Sequence, residues 1–164
     1  MHKIDKIIVL PNANTFYKND LDLKLFSKYT SESSFNSLTK RNNPKLGGTT
    51  FTVVDAGILS SYDRSFCDEE KSDLENVDRY YLFILDSFIR DQMITLEDLK
   101  SDDFKFKSAS NINHYFSVVK GAVTIKADRF MPEGVILLGD IQATECIIHK
   151  IDKVLGPVKP DFAW

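Results

Sequence analysis

The sequence has only two cysteines, Cys67 and Cys146, which lie far apart in a chain of 164 residues. A secreted domain of this length that depended on disulfides would usually carry more of them. The low cysteine count therefore favours two reduced thiols in a cytosolic setting. A single disulfide stays open at this stage, because the sequence does not give the distance between the two residues.

Long hydrophobic runs are missing as well. The apolar run near the start, residues 7–10, has four residues and ends at Pro11. It is too short for the core of a signal peptide, and no later stretch is long enough for a transmembrane helix. We therefore expect a cytoplasmic protein with no membrane partner.

Basic residues are slightly outnumbered by acidic ones, 21 to 24. The formal net charge is −3, which disfavours broad binding to nucleic acid, because such binding needs clustered lysine and arginine. A local basic patch remains compatible with this balance. The content of 43% hydrophobic and 12% aromatic residues is typical of a globular chain, and the length is that of a single domain, 1–164.

Motifs that would carry catalysis are also absent. No Gly-x-Ser-x-Gly elbow occurs. The segment Gly-Gly-Thr-Thr at 47–50 lacks the Gly-Lys-Ser/Thr ending of a phosphate loop. His2, His114 and His149 have no second ligand at metal-binding spacing. Cys67 stands among acidic residues, which raise the pKa of a thiol. We expect no cofactor and no metal.

The sequence does contain a strong helical pattern between Ser72 and Met93. Ser72 and Glu75 fit a capping box. Apolar residues recur at three- and four-residue spacing, as expected for one face of a helix; they are Leu74, Val77, Tyr81, Ile84, Leu85, Phe88 and Ile89. This pattern predicts a central amphipathic helix at about 72–93.

Strand-like segments surround the predicted helix. Residues 7–10, 20–25 and 50–54 are β-branched or alternate between apolar and polar. From Lys105 onward, short alternating segments separated by turns such as Lys120-Gly121 predict an antiparallel meander. Thr95 and Asp98 fit a second capping box, which predicts a short helical turn. We predict an α+β fold in which one central helix packs on a face of a mostly antiparallel sheet.

Acidic residues crowd the start of this helix, and aromatic residues follow along it. Acidic side chains there can simply complement the helix dipole, and the aromatic ones can be covered by loops. Alternatively, both groups form a surface for a basic protein partner, since charge steers association and aromatic residues are enriched at interfaces. The predicted partner-binding residues are Asp68, Glu69, Glu70, Asp73, Asp78, Tyr80 and Phe83.

A metal-dependent nuclease or hydrolase is the enzymatic alternative. Asp103 and Lys105 share one face of a strand-like segment, and Asp86 is a conceivable upstream acid for a magnesium site. Such acid–x–lysine triplets arise often by chance in a chain with 27% charged residues. The negative net charge also opposes an approach to phosphates.

By exclusion, the sequence favours a non-catalytic protein-binding module. An immunity or inhibitor protein that neutralises a basic toxin or nuclease would fit the acidic and aromatic surface. A phage or virion assembly protein fits as well, and the metal-dependent enzyme remains an alternative. A small-molecule-binding β domain is a further class, for which no specific residue speaks.

Overall fold

The structure is a computed structural model that describes residues 9–32, 47–61, 87–101, 105–109, 111–127 and 133–155. Within these residues the chain forms seven strands and four short helices. The strands are β1 (Gly48–Val53), β2 (Phe88–Arg90), β3 (Lys105–Lys107), β4 (Asn113–Val119), β5 (Ala122–Ala127), β6 (Glu133–Gln142) and β7 (Ile147–Ile151). The helices are α1 (Ala13–Asn19), α2 (Lys24–Glu32), α3 (Asp55–Ser61) and α4 (Leu96–Leu99).

The seven strands form one sheet in the order β2-β1-β7-β6-β5-β4-β3. Strands β3 to β7 follow one another as an antiparallel meander, which confirms the sequence prediction for the last third. Strands β1 and β7 pair in parallel, with Thr49 opposite Ile147 and Val53 opposite Ile151. This pairing brings the first and last of these strands side by side, next to the end strand β2.

The sheet curls until its two outer strands approach each other. The ring of Phe51 in β1 lies 5.6 Å from the ring of Phe116 in β4, measured between centroids. The backbone N–H of Ala109, in the β3–β4 connection, donates to the carbonyl of Phe88 in β2 at 2.7 Å. Because β2 and β3 are the two ends of the strand order, these contacts make the sheet a nearly closed, barrel-like structure.

The core lies between the curled sheet and the first helices. Every residue of β1 and β7 is buried, as expected for strands covered on both faces. Tyr17 of α1 packs edge-on against Phe26 of α2, with ring centroids 5.0 Å apart. Both side chains are fully buried, together with Leu23 and Ile58, so the helices close one side of the sheet.

The predicted α+β fold with one central helix at about 72–93 is wrong. Residues 88–90 lie inside that prediction, yet they form β2, which pairs with Gly48–Thr50 of β1. Phe88 and Ile89 are both buried, and a short apolar run fits a buried strand as well as a helix. The helices among the described residues have four to nine residues, so the sheet dominates. Residues 72–86 lie outside the described part.

Near the start, the predicted strand at 20–25 is wrong, and the described half of the one at 7–10 is not a strand. In the segment 20–25, Asp20 ends α1 and Lys24 begins α2. Leu23 and Phe26 are buried at helical spacing, whereas Leu21 is 82% exposed, so the alternation of leucines was coincidental. The described part of segment 7–10, Val9 and Leu10, is exposed and in no strand.

Two local predictions are confirmed. Thr95 and Asp98 form a reciprocal capping box at the start of α4. Lys120 and Gly121 both have positive φ, 51° and 83°, and join β4 to β5 in a two-residue hairpin turn.

Candidate functional site

The seven residues predicted to bind a partner all lie outside the described residues, in the segment 62–86. They are Asp68, Glu69, Glu70, Asp73, Asp78, Tyr80 and Phe83. Of the alternative enzymatic set, Asp86 and Asp103 also lie outside the description, and Lys105 is exposed on β3. The acidic and aromatic surface therefore remains a prediction.

The described residues instead present a candidate surface on strands β3 to β6. The strand register places Lys105 opposite Tyr115, Tyr115 opposite Lys126, and Lys126 opposite Glu133. Paired residues of antiparallel strands point to the same side, so these four side chains stand in one row across four strands. The neighbouring His114 is fully buried and points to the core, so the row faces outward.

Two hydroxyl side chains next to this row, Thr124 and Ser117, hold its Glu133 in place. The Thr124 hydroxyl donates to Glu133 Oε1 at 2.6 Å. Since that proton is used, the Ser117 hydroxyl donates to Thr124 Oγ1 at 2.7 Å. The contacts fix the Glu133 carboxylate against the sheet and leave the lysines of the row as its outward charges.

An apolar end completes the surface beside the β4–β5 turn. Val119 is paired with Ala122. Leu137 lies on β6 at a β-bulge just after Val135, and its exposure places it on the outer side of the sheet. Val119 is 48% exposed and Leu137 is 56% exposed. We define the outer face by the residues of this surface that carry its chemistry: Lys105, Lys107, Tyr115, Val119, Lys126 and Leu137.

The outer face was not predicted from the sequence, although the sequence contains part of the pattern that defines it. The alternation of Lys105 and Lys107 with Phe106 shows which side chains of β3 share a side. Lys126 alternates with apolar residues on β5 in the same way. The cross-strand register brings Lys105, Tyr115 and Lys126 together, and that register depends on the structure.

The described histidines have structural positions. His149 Nε2 lies 2.8 Å from the carbonyl oxygen of Ile94, and its Nδ1 accepts the N–H of Asp140 at 3.2 Å. Burial lowers the pKa of His149, and the opposing effects of the Ile94 carbonyl and Asp140 are smaller. Among the described residues, no group of three or more histidine, cysteine, aspartate or glutamate side chains could hold a metal ion.

Cys146 is a buried free thiol. Cys67 lies outside the described residues, so the expectation that both thiols are reduced stays a prediction. Burial, followed by the negative charge of Glu145, raises the pKa of Cys146 to about 12. A thiol with this pKa is almost entirely protonated at neutral pH and is a poor nucleophile.

Comparison with known proteins identifies the fold. No protein-family model matches the chain, and no curated protein sequence matches it significantly. Among solved structures, it matches a FAS1 domain pair from the insect cell adhesion molecule Fasciclin I, with a TM-score of 0.72 and 18% sequence identity. The match covers 90% of this chain and 51% of that chain.

The chain thus spans about half the length of the matched structure and has a FAS1-like fold. At this level of identity the likeness concerns the fold alone. The matched fold agrees with the barrel-like sheet and not with a central helix. In the part of the chain that is described, no helix has the length and apolar character needed to span a membrane.

Proposed function

We propose that the chain is a non-catalytic protein-binding domain whose outer face binds an acidic surface of a partner protein. The observation that carries this proposal is the row Lys105–Tyr115–Lys126, aligned by the strand register. Tyrosine is enriched in protein interfaces, and the lysines would steer an acidic partner to it.

The apolar end of the outer face supports a protein partner rather than a small anion. Val119 and Leu137 are about half exposed, and burying them would contribute the hydrophobic core that specific interfaces need. The lysines would then form a charged rim next to that core.

The chemistry of the described titratable groups supports a non-catalytic role. Both ring nitrogens of His149 contact backbone groups, and the Cys146 thiol is buried with a raised pKa. Neither group is available as a general base or a nucleophile in this state.

The likeness to a cell adhesion molecule makes adhesion one plausible form of such binding by analogy of fold. It does not bear on an immunity, inhibitor or virion role, and those remain predictions tied to the residues at 68–83. The cytoplasmic location expected from the sequence also remains a prediction.

The test compares partner capture by the wild-type chain with that by a variant carrying Lys105→Glu, Tyr115→Ala and Lys126→Glu. A matched control carries Lys100→Glu and Lys153→Glu, which change the same charge at exposed positions elsewhere. Proteins captured from the native cells are identified by mass spectrometry, and their affinities are then measured with purified components.

We expect an acidic partner that binds the wild type and the control alike, with affinity that falls as salt rises. The outer-face variant should bind about tenfold or more weakly. Equal affinity of the variant and the wild type for every identified partner would reject the outer face as the binding surface. Circular dichroism checks that all three chains fold.

A further inference from the structure

Three hydrogen bonds hold the segment between β2 and α4 against the sheet. The Thr49 hydroxyl donates to the carbonyl of Gln92 at 2.6 Å and accepts the N–H of Ile94 at 2.9 Å. The Ile94 carbonyl in turn lies 2.8 Å from His149 Nε2. Ile94 is 4% exposed, so the two bonds that its own N–H and carbonyl make are shielded from water.

Helix α4 is held at its start by the same histidine through one intermediate residue. The Asp140 carboxylate accepts the N–H of Leu96 at 2.8 Å. Asp140 has a positive φ of 57° and donates its own N–H to His149 Nδ1. The backbone also approaches closely here, because a Cβ on Gly139 would stand 2.5 Å from Leu96 Cγ and 2.8 Å from His149 Nδ1.

These two contacts define the protonation state of the ring. The Ile94 carbonyl only accepts, so Nε2 carries a hydrogen, and the Asp140 N–H only donates, so Nδ1 carries none. His149 is therefore neutral in the closed arrangement. A proton on Nδ1 would point at the Asp140 N–H from 3.2 Å, which removes one hydrogen bond and sets two donors against each other.

Within the described residues, the charged group that faces His149 is the Asp140 carboxylate of β6. Strand β1 contributes the stacked ring of Phe51 at 5.5 Å, and Phe51 also contacts His114 of β4 at 6.2 Å. On α4, the Asp98 carboxylate is bonded to Thr95.

We propose that His149 makes the docking of residues 92–99 sensitive to acid, because protonation at Nδ1 breaks its hydrogen bond to Asp140 and releases α4 from the sheet. The lowered pKa of His149 agrees with this arrangement. Since the closed state has the lower pKa, its stability is full above the ordinary histidine pKa of about 6.5 and falls as the pH drops below that value. Opening uncovers Ile94 and Leu99, which are almost fully buried when the segment is docked.

The test is hydrogen exchange followed by mass spectrometry at pH 7.5 and 5.5, corrected for intrinsic exchange rates. In the wild type, opening of peptides within 92–99 should increase by up to roughly tenfold between the two pH values, because at most one proton is taken up at His149 on opening. In His149→Gln, whose amide can still donate to the Ile94 carbonyl but does not titrate, opening should be independent of pH. Strands β4 and β5 serve as the internal reference.

A pH response of the same size in His149→Gln would overturn the proposal. A second measurement needs no variant: long-range proton–nitrogen NMR of the wild type at pH 7.5 should show His149 with its hydrogen on Nε2. Finding the hydrogen on Nδ1, or a charged ring, would contradict the proposal even if the glutamine variant failed to fold.

Discussion

Single residues in this fold are constrained most strongly where backbone segments meet. A Cβ on Gly57 would stand 2.3 Å from the carbonyl oxygen of Asp152, which belongs to the backbone and cannot rotate away. At Gly134 the nearest atoms would be 3.5 Å away, an ordinary contact distance. The two glycines look alike in the sequence, since neither shows what its neighbours in space are.

We expect Gly57→Ala to destabilise the fold by about 1–3 kcal/mol, because the added methyl overpacks the contact between α3 and the chain after β7. In an open helix the same change would stabilise by up to about 1 kcal/mol. Urea denaturation measures the difference, and Gly134→Ala is the control, expected within about 0.5 kcal/mol of the wild type. A wild-type midpoint for Gly57→Ala would show that the two segments separate easily.

Elements of secondary structure in this chain are completed by residues that are distant in sequence. The Asp55 carboxylate, at the start of α3, accepts the backbone N–H groups of Lys24 and Leu25 at 3.2 and 2.9 Å. It thereby supplies the acceptors that the first turn of α2 lacks within its own segment. Helices α2 and α3 are thus coupled through one side chain.

Replacing Asp55 by alanine should cost about 1 kcal/mol, the usual effect of removing a helix cap. Thermal unfolding followed by circular dichroism would detect the loss as a lower midpoint. The control is Asp22→Ala, which removes an exposed carboxylate 3.6 Å from Lys150 and should change the stability little. If both variants unfolded at the same temperature, the cap would not contribute.

Sequence patterns that lie within a few residues predicted the local elements they form, but they did not predict contacts between distant parts of the chain. Thr95 and Asp98 are three residues apart, so the sequence alone predicted their capping box. The Lys120-Gly121 turn was likewise predicted because its residues are adjacent in the sequence. The cap from Asp55 spans 31 residues and leaves no such signal. Phe88 and Ile89 continued a helical period, yet pairing with β1 made them a strand, because tertiary contacts override local pattern.

At the scale of the whole molecule, the parallel pair β1–β7 is the most protected part of the described sheet. All residues of β1 and β7 are buried, and each of these strands has a paired neighbour on both sides. By contrast, β3 is a short end strand with exposed lysines, and lysines on such a strand also discourage pairing with other chains. Two residues of the outer face, Lys105 and Lys107, therefore also protect the sheet edge.

Native-state hydrogen exchange should reveal this gradient. Amides of β1 and β7 are expected to exchange only through global unfolding, whereas those of β3 exchange through local opening. The measurement follows exchange at increasing low concentrations of denaturant. Slower exchange in β3 than in β7 would contradict the expectation that strands with a neighbour on both sides are the most protected.

Neither the strand order nor the outer face could be predicted from one sequence. The meander from β3 to β7 was predictable because consecutive strands are joined by short turns. The β1–β7 register pairs residues that are 98 positions apart, such as Val53 and Ile151, and neither segment carries a sequence pattern that indicates the other. The row across β3 to β6 depends on this same kind of register information.

The parallel pair also has a consequence for synthesis of the chain. Thr52 is made 97 residues before its neighbour His149, so at a translation rate of about 5–20 residues per second β1 waits roughly 5–20 s for β7. During that interval β1, which is buried in the folded protein, has an open edge that can pair with another chain. The protein is therefore most prone to aggregate while it is being made, and a chain that stops before Ile147 never completes the sheet.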